Sequence, residues 1–217
     1  MLKKAIIAGA SGLVGNELLH ILLTNPGYDE VLVLVRRELP LKHGKLKQLI
    51  VDFDKISDYQ AEITGEAFFC CLGSTKKKTP NLADYRKVDH DYPLQLAQIA
   101  LANGIGQYHL VSAMGAEVKS GNFYMRLKGE TEADIINTGL PGLYIYRPAM
   151  LTGERTEDRP LERFLTPIMK VIDLFLIGNL KKYRSIAAKT VAIVMYKQSL
   201  KNKAGTFIYA SDKIKEL

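Results

Sequence analysis

Short runs of aliphatic and β-branched residues alternate with longer stretches whose apolar positions recur at helical spacing, from residue 5 to residue 147. That alternation predicts a parallel sheet covered by helices. AIIAG (5–9), VLVLV (31–35), LIVD (49–52), AFFCCLG (67–73), YHLVS (108–112) and LYIYR (143–147) read as six strands, with helices over 16–24 and 122–137. The fourth run lacks polar alternation, which predicts burial on both faces. Residues 82–102 read as one long helix that Pro93 should kink or split, because proline has no amide to donate inside a helix. After Arg147-Pro148 the pattern changes to a charged loop, an apolar helix near 161–177, a helix over about 186–200 and a short strand, TFIYA. The expected architecture is an α/β, doubly wound parallel sheet (Rossmann-like) in one domain, with a cofactor-binding core over 1–148 and a small C-terminal substrate lobe over 149–217. The apolar 161–177 segment is expected to close over a substrate.

Composition narrows the class. The chain has 217 residues, 47% hydrophobic and 24% charged, the proportions of an ordinary globular domain, which excludes disorder. Lysine and arginine exceed aspartate and glutamate by 30 − 23 = +7, which favours anionic partners. The run Lys76-Lys77-Lys78 lacks interleaved aromatics, so nucleic acid is not expected. The opening MLKKAIIAGASG imitates a secretory signal, but its apolar part is short and broken by glycine. The best apolar stretch elsewhere contains Pro167, Lys170 and Asp173, so no transmembrane segment is expected. Cys70 and Cys71 are adjacent, a poor disulfide pair without metal-ligand spacing, and a reducing, cytoplasmic setting fits them best.

Gly9-Ala10-Ser11-Gly12-Leu13-Val14-Gly15 directly follows the first strand and opens the first helix. Gly9 suits a tight turn, Gly12 close approach to a pyrophosphate and Gly15 close helix packing, while the amides from Ser11 to Val14 face the anion. The spacing G-x-x-G-x-x-G is looser evidence than its placement between strand and helix, and no Lys-Ser or Lys-Thr pair ends the loop as in a Walker motif. A site that prefers a free 2′-hydroxyl usually ends its second strand with an acid; this chain has Arg36-Arg37 there. Two guanidiniums can clamp a 2′-phosphate, with Arg36 the better placed, which favours NADP (NADPH) over NAD. Solvated surface arginines are the ordinary alternative. Asp52 either accepts the adenine amino group or caps a helix before Asp54.

Tyr124 and Lys128 are four apart on a predicted helix and so share one face. A cation so placed lowers a phenol's pKa toward working pH and fits it for proton transfer while hydride moves at carbon. Ser112, ending the fifth strand, is placed to orient a carbonyl. Tyr209 and Lys213 repeat the spacing in a context with no such helix, and that copy reads as chance.

GASGLVG, the Arg36 position, CLGST, VSAMGA, Tyr124-x-x-x-Lys128 and YRPAMLTGER occur in the order found in the short-chain dehydrogenase/reductase superfamily, and the chain resembles its atypical, extended-like branch. CLGSTKKK, KVDHDYP, NFYMRLKGETEA and the stretch from Gly153 to Pro160 look similar to the Tat-interacting protein group of oxidoreductase-like proteins. The resemblance implies an NADP-binding fold with Tyr124, Lys128 and Ser112 in catalytic positions, and Gly73 and Pro148 lining the nicotinamide end. Two positions depart from the pattern. Ala113 stands where many relatives have a second serine, and Lys87-Val88-Asp89-His90 offers no counterpart for a proton-relaying asparagine, leaving His90 as a solvated histidine or a relay. The expected function is oxidoreduction of an unidentified carbonyl or alcohol as a small-molecule substrate. A catalytically silent, NADPH-binding regulatory protein is the alternative, and a protein partner or a homodimer stays open.

Overall fold

The computed structural model describes residues 2–153 and 182–217. Seven strands form one sheet in the order β3-β2-β1-β4-β5-β6-β9: β1 (Lys4–Ala8), β2 (Glu30–Val35), β3 (Leu46–Ile50), β4 (Ala67–Cys70), β5 (Gln107–Val111), β6 (Gly142–Arg147) and β9 (Gly205–Ala210). Every neighbouring pair is parallel. Two short strands, β7 (Leu151–Thr152) and β8 (Ile186–Ala187), pair separately. The winding reverses between β1 and β4, and this switch point opens a crevice at the carboxyl edge of the sheet.

Parallel strands need crossovers, and the crossovers supply the two covering layers. On one face α1 (Leu13–Thr24) and α5 (Ala188–Ser199) pack on each other and bury Leu18, Leu22, Val191 and Met195 against Ile7, Val33 and Phe69. On the other face α3 (Tyr92–Ala102) and α4 (Phe123–Ile136) enclose Leu96, Ala100 and Ile135 with Phe68, Leu110 and Ile145. The four residues of β4 have no exposed surface at all, as its unbroken apolar run required.

Three points of the structure, set against the sequence expectation, have physical causes. The third strand lies at 46–50 rather than 49–52: it is an edge strand of mixed polarity, LKQLI, and Gln48 is drawn to the preceding loop by bonds with Leu39 N (2.8 Å) and Leu39 O (3.1 Å). Asp52 instead accepts the Asp54 amide at 3.0 Å and caps the 3₁₀ segment Phe53–Glu62. Second, the 82–102 helix is split, as Pro93 led us to expect, and runs as α2 (Leu82–Arg86), one π turn (Lys87–Asp91) and α3. Pro93 has no amide for the Asp89 carbonyl one turn earlier, and the Thr131 hydroxyl of α4 donates to that carbonyl at 3.0 Å in its place. Third, residues expected in a closing lobe complete the core, since β9 adds to β6 and α5 covers α1. A short last helix, α6 (Ser211–Glu216), follows β9. The apolar helix expected over 161–177 lies outside the described residues.

Candidate active site

The turn after β1 is tight because Gly9 takes φ +85° and its carbonyl accepts the Gly12 amide at 2.9 Å. A Cβ on Gly9 would lie 2.5 Å from the Cys71 carbonyl oxygen, and one on Gly15 2.1 Å from the Gly9 carbonyl oxygen. Neither backbone contact can yield, so only glycine lets the loop fold back this closely. Ser11 and Gly12 are exposed, Leu13 is half-buried, and Val14 and Gly15 anchor the helix beneath. Among the described residues no side chain caps α1, which leaves its first amides facing the crevice. A bare helix N-terminus behind a loop without side-chain bulk is a cradle that fits a dinucleotide pyrophosphate. Arg36 and Arg37 follow β2 directly and are exposed, beside this loop in strand order. Asp52 is exposed one strand further out, with one carboxylate oxygen engaged in its cap.

Across the switch point the chain leaves β4 through Cys71, whose amide donates to Ala8 O at 2.8 Å, and reaches exposed Gly73. A Cβ on Gly73 would stand 3.6 Å from Asp89 Oδ1 and 4.0 Å from Lys128 Nζ. Those two groups form an ion pair of 2.9 Å, with side chains 1% and 5% exposed. Asp89 Oδ2 also accepts the Ser74 amide at 2.7 Å, and Tyr85 donates its hydroxyl to Ser74 O at 3.1 Å. The π turn therefore delivers a carboxylate under the β4 loop, and α4 delivers an ammonium to meet it. Asn122 starts α4 by accepting the Tyr124 and Met125 amides at 2.9 and 3.2 Å.

The acid/base properties differ from the expectation. Burial alone would lower Lys128, but Asp89 and Tyr124 outweigh it and hold the ammonium above its ordinary range. Burial pushes the Tyr124 phenol up, Lys128 pulls it back and Asp89 pushes it up again, so the balance lies above the ordinary value rather than below. Asp89 is the group sequence reasoning missed. Its signal was the helix distortion that Pro93 imposes four residues later.

Ser112 lies at the end of β5 as expected, but its hydroxyl is short-bonded to Glu132 of α4. Glu132 is buried and takes Arg147 Nε at 3.0 and 3.1 Å, tying α4 to the ends of both β5 and β6. Glu132 was also missed, although it lies one turn past Lys128 and two past Tyr124 on the same face. Buried Pro148 accepts the Met114 amide at 2.9 Å, closing the floor between the two strand ends. His90 is neither solvated nor at this site: its ring nitrogens lie 2.7 Å from Asp91 and 2.8 Å from Asp134. Tyr209 sits on a strand with its ring 5.5 Å from that of Tyr146, while Lys213 pairs with Glu216, so this copy forms no shared face. Cys70 and Cys71 are free thiols. Among the described residues no helix is long and apolar enough to cross a membrane.

A doubly wound sheet with a glycine cradle at its switch point defines a Rossmann-like, dinucleotide-binding type of fold. Solved structures of that fold superpose on nearly all of the chain: the Bordetella bronchiseptica enzyme WbmH in complex with NAD+ has a TM-score of 0.72 at 17% identity, covering 100% of this chain and 79% of its own. DesIV, the dTDP-glucose 4,6-dehydratase of Streptomyces venezuelae, with NAD bound, has a TM-score of 0.69 at 17% identity over 95% and 74% of the two chains. No family model matches the sequence. Protein HTATIP2 of Rattus norvegicus is 35% identical over 164 residues, 74% of this chain and 67% of its own length. Protein FMP52, mitochondrial, of Saccharomyces cerevisiae is 36% identical over 158 residues, 71% and 68% respectively. The chain belongs to this family of HTATIP2 and FMP52 proteins, and it shares the fold of the NAD-bound enzymes above.

Proposed function

We propose that the protein is an NADP-dependent oxidoreductase that interconverts a carbonyl and an alcohol on a small-molecule substrate. The observation that carries this reading is the placement of Tyr124 and Lys128 on one face of α4, with Lys128 beside Gly73 at the switch-point crevice. Gly9, Ser11, Gly12, Leu13, Val14 and Gly15 would cradle the pyrophosphate, Arg36 with Arg37 the 2′-phosphate, and Gly73, Lys128 and Pro148 the nicotinamide end. The bound dinucleotide supplies hydride chemistry. In the reducing direction Tyr124 gives its phenolic proton to the substrate oxygen, and Lys128 stabilises the phenolate that remains. Ser112 enters through Glu132, as part of the tie that fixes α4, rather than by touching a carbonyl. Free Cys70, whose thiol burial holds above its ordinary range, fits a reducing compartment. We read that compartment as the cytoplasm, although the FMP52 relatives are named mitochondrial.

Calorimetric titration tests the cofactor assignment. NADPH should bind more tightly than NADH by about 1.5–3 kcal/mol, the worth of hydrogen bonds to a charged group. Arg36→Ala should remove most of that difference while sparing NADH. Equal affinities in the native protein would reject NADP preference.

A further inference from the structure

The buried carboxylate beside Lys128 has no role in the chemistry described so far. We propose that Asp89 is a positioning residue for proton transfer: it holds the Lys128 ammonium one helical turn from Tyr124 and cancels much of the charge that Tyr124 would otherwise meet. This inference rests on the reading of Tyr124 as proton donor.

Four observations converge on Asp89. Its side chain is 1% exposed and 2.9 Å from the ammonium, so the pair is shielded from solvent, where charges act strongly on neighbours. Its second oxygen is fixed by the Ser74 amide and its carbonyl by the Thr131 hydroxyl, so it belongs at once to the β4 loop, the π turn and α4. The π turn gives the geometry a cause, since an uninterrupted α-helix through 87–91 would place this residue differently around the axis. Lastly, burial is the main cause that raises Tyr124, and on top of it the two members of the pair act with opposite sign, Lys128 favouring the phenolate and Asp89 opposing it.

The other titratable groups near the Asp89–Lys128 pair do not replace this one. From α2, Tyr85 is itself held protonated by burial and by Asp89. From β4, Cys70 is a buried thiol above its ordinary range. On α4, Glu132 is occupied by Arg147 and Ser112. Among the described residues, Asp89 is thus the carboxylate whose charge reaches both Lys128 and Tyr124.

The test is a pH titration of the protein labelled with 13C at tyrosine Cζ, with the Tyr124 signal assigned by its loss in Tyr124→Phe. Asp89→Asn keeps the side chain's shape and should let Tyr124 ionise at least about one pH unit lower, a tenfold change in its ionisation constant. An unchanged Tyr124 titration, or loss of the Lys128 proton with the phenol still intact, would overturn the proposal. Because Asp89→Asn leaves a buried ammonium unpaired and can fail to fold, the double variant Asp89→Asn/Lys128→Met removes both charges together. Cancellation predicts that Tyr124 in the double variant titrates within about one unit of the native protein. A rise well beyond that would show that Lys128 acts uncancelled, and the proposal would fall. No substrate is needed for these measurements, so they stand apart from whether Tyr124→Phe abolishes turnover.

Discussion

His109 gives the sharpest test of the core. Its imidazole has no exposed surface and is stacked between Phe69 and Tyr144, with ring centroids at 4.7 and 4.4 Å. Nδ1 is 3.1 Å from the Tyr146 hydroxyl, while Nε2 has no partner among the described residues. Burial therefore pushes the ring's pKa from 6.5 down to about 3. The sign follows from proton binding. Below pH 6.5 the unfolded chain protonates this histidine and the folded one does not, so stability is complete above pH 6.5 and falls as pH drops toward 3. At about 1.4 kcal/mol per pH unit the loss approaches about 5 kcal/mol by pH 3, comparable with the whole stability of many domains. His109→Phe keeps the stack and removes the titration, but it leaves the Tyr146 hydroxyl unpaired at a cost of about 1–3 kcal/mol. The variant should be the less stable protein at pH 7 and the more stable below a crossing between about pH 5.8 and 4.3, where the native loss equals that cost. The chain has no tryptophan, so urea unfolding is best followed by circular dichroism. Other acid-sensitive groups are common to both proteins and cancel in the difference. Parallel stability curves from pH 7.5 to 4 would show that the ring is protonated in the fold and refute the argument.

Further outcomes concern the cradle and the tie. Gly15→Ala places a methyl 2.1 Å from the Gly9 carbonyl oxygen and should displace the loop, costing most NADPH affinity in calorimetry while circular dichroism stays native. Glu132→Gln should destabilise the fold by about 1.5–3 kcal/mol, the worth of hydrogen bonds to a charged group, because Arg147 keeps part of its solvent contact; urea midpoints measure this. Lys128→Met should weaken both NADPH binding and any turnover, since the same ammonium faces Gly73 and Tyr124.

The sheet was legible because most of its strands are buried on both faces and so read as unbroken apolar runs. Val31 to Val35 and Ala67 to Cys70 are cases in point, each fully or nearly fully buried. β3 was misplaced because an edge strand with Lys47 and Gln48 carries little of that signal. The glycine loop and the Tyr124/Lys128 face followed from local spacing, which a helix converts directly into proximity. Asp89 and Glu132 did not, for a different reason: each meets its partner through a long-range contact, 39 and 15 residues away at Lys128 and Arg147. Spacing along one element says nothing about which charge another element brings. The sign of the Tyr124 shift was misread for that reason, because it depends on burial and on Asp89 as much as on Lys128.

The central claim is that Tyr124 is the proton donor of an NADPH-linked carbonyl reduction. Following NADPH absorbance at 340 nm across a panel of carbonyl compounds, for the native protein and Tyr124→Phe side by side, tests it most directly. The account predicts turnover of at least one carbonyl class and a drop of about 10²-fold or more in Tyr124→Phe, with NADPH affinity nearly unchanged. Tight NADPH binding without turnover on any carbonyl, or a Tyr124→Phe protein that keeps near-native rates from pH 6 to 9, would contradict it.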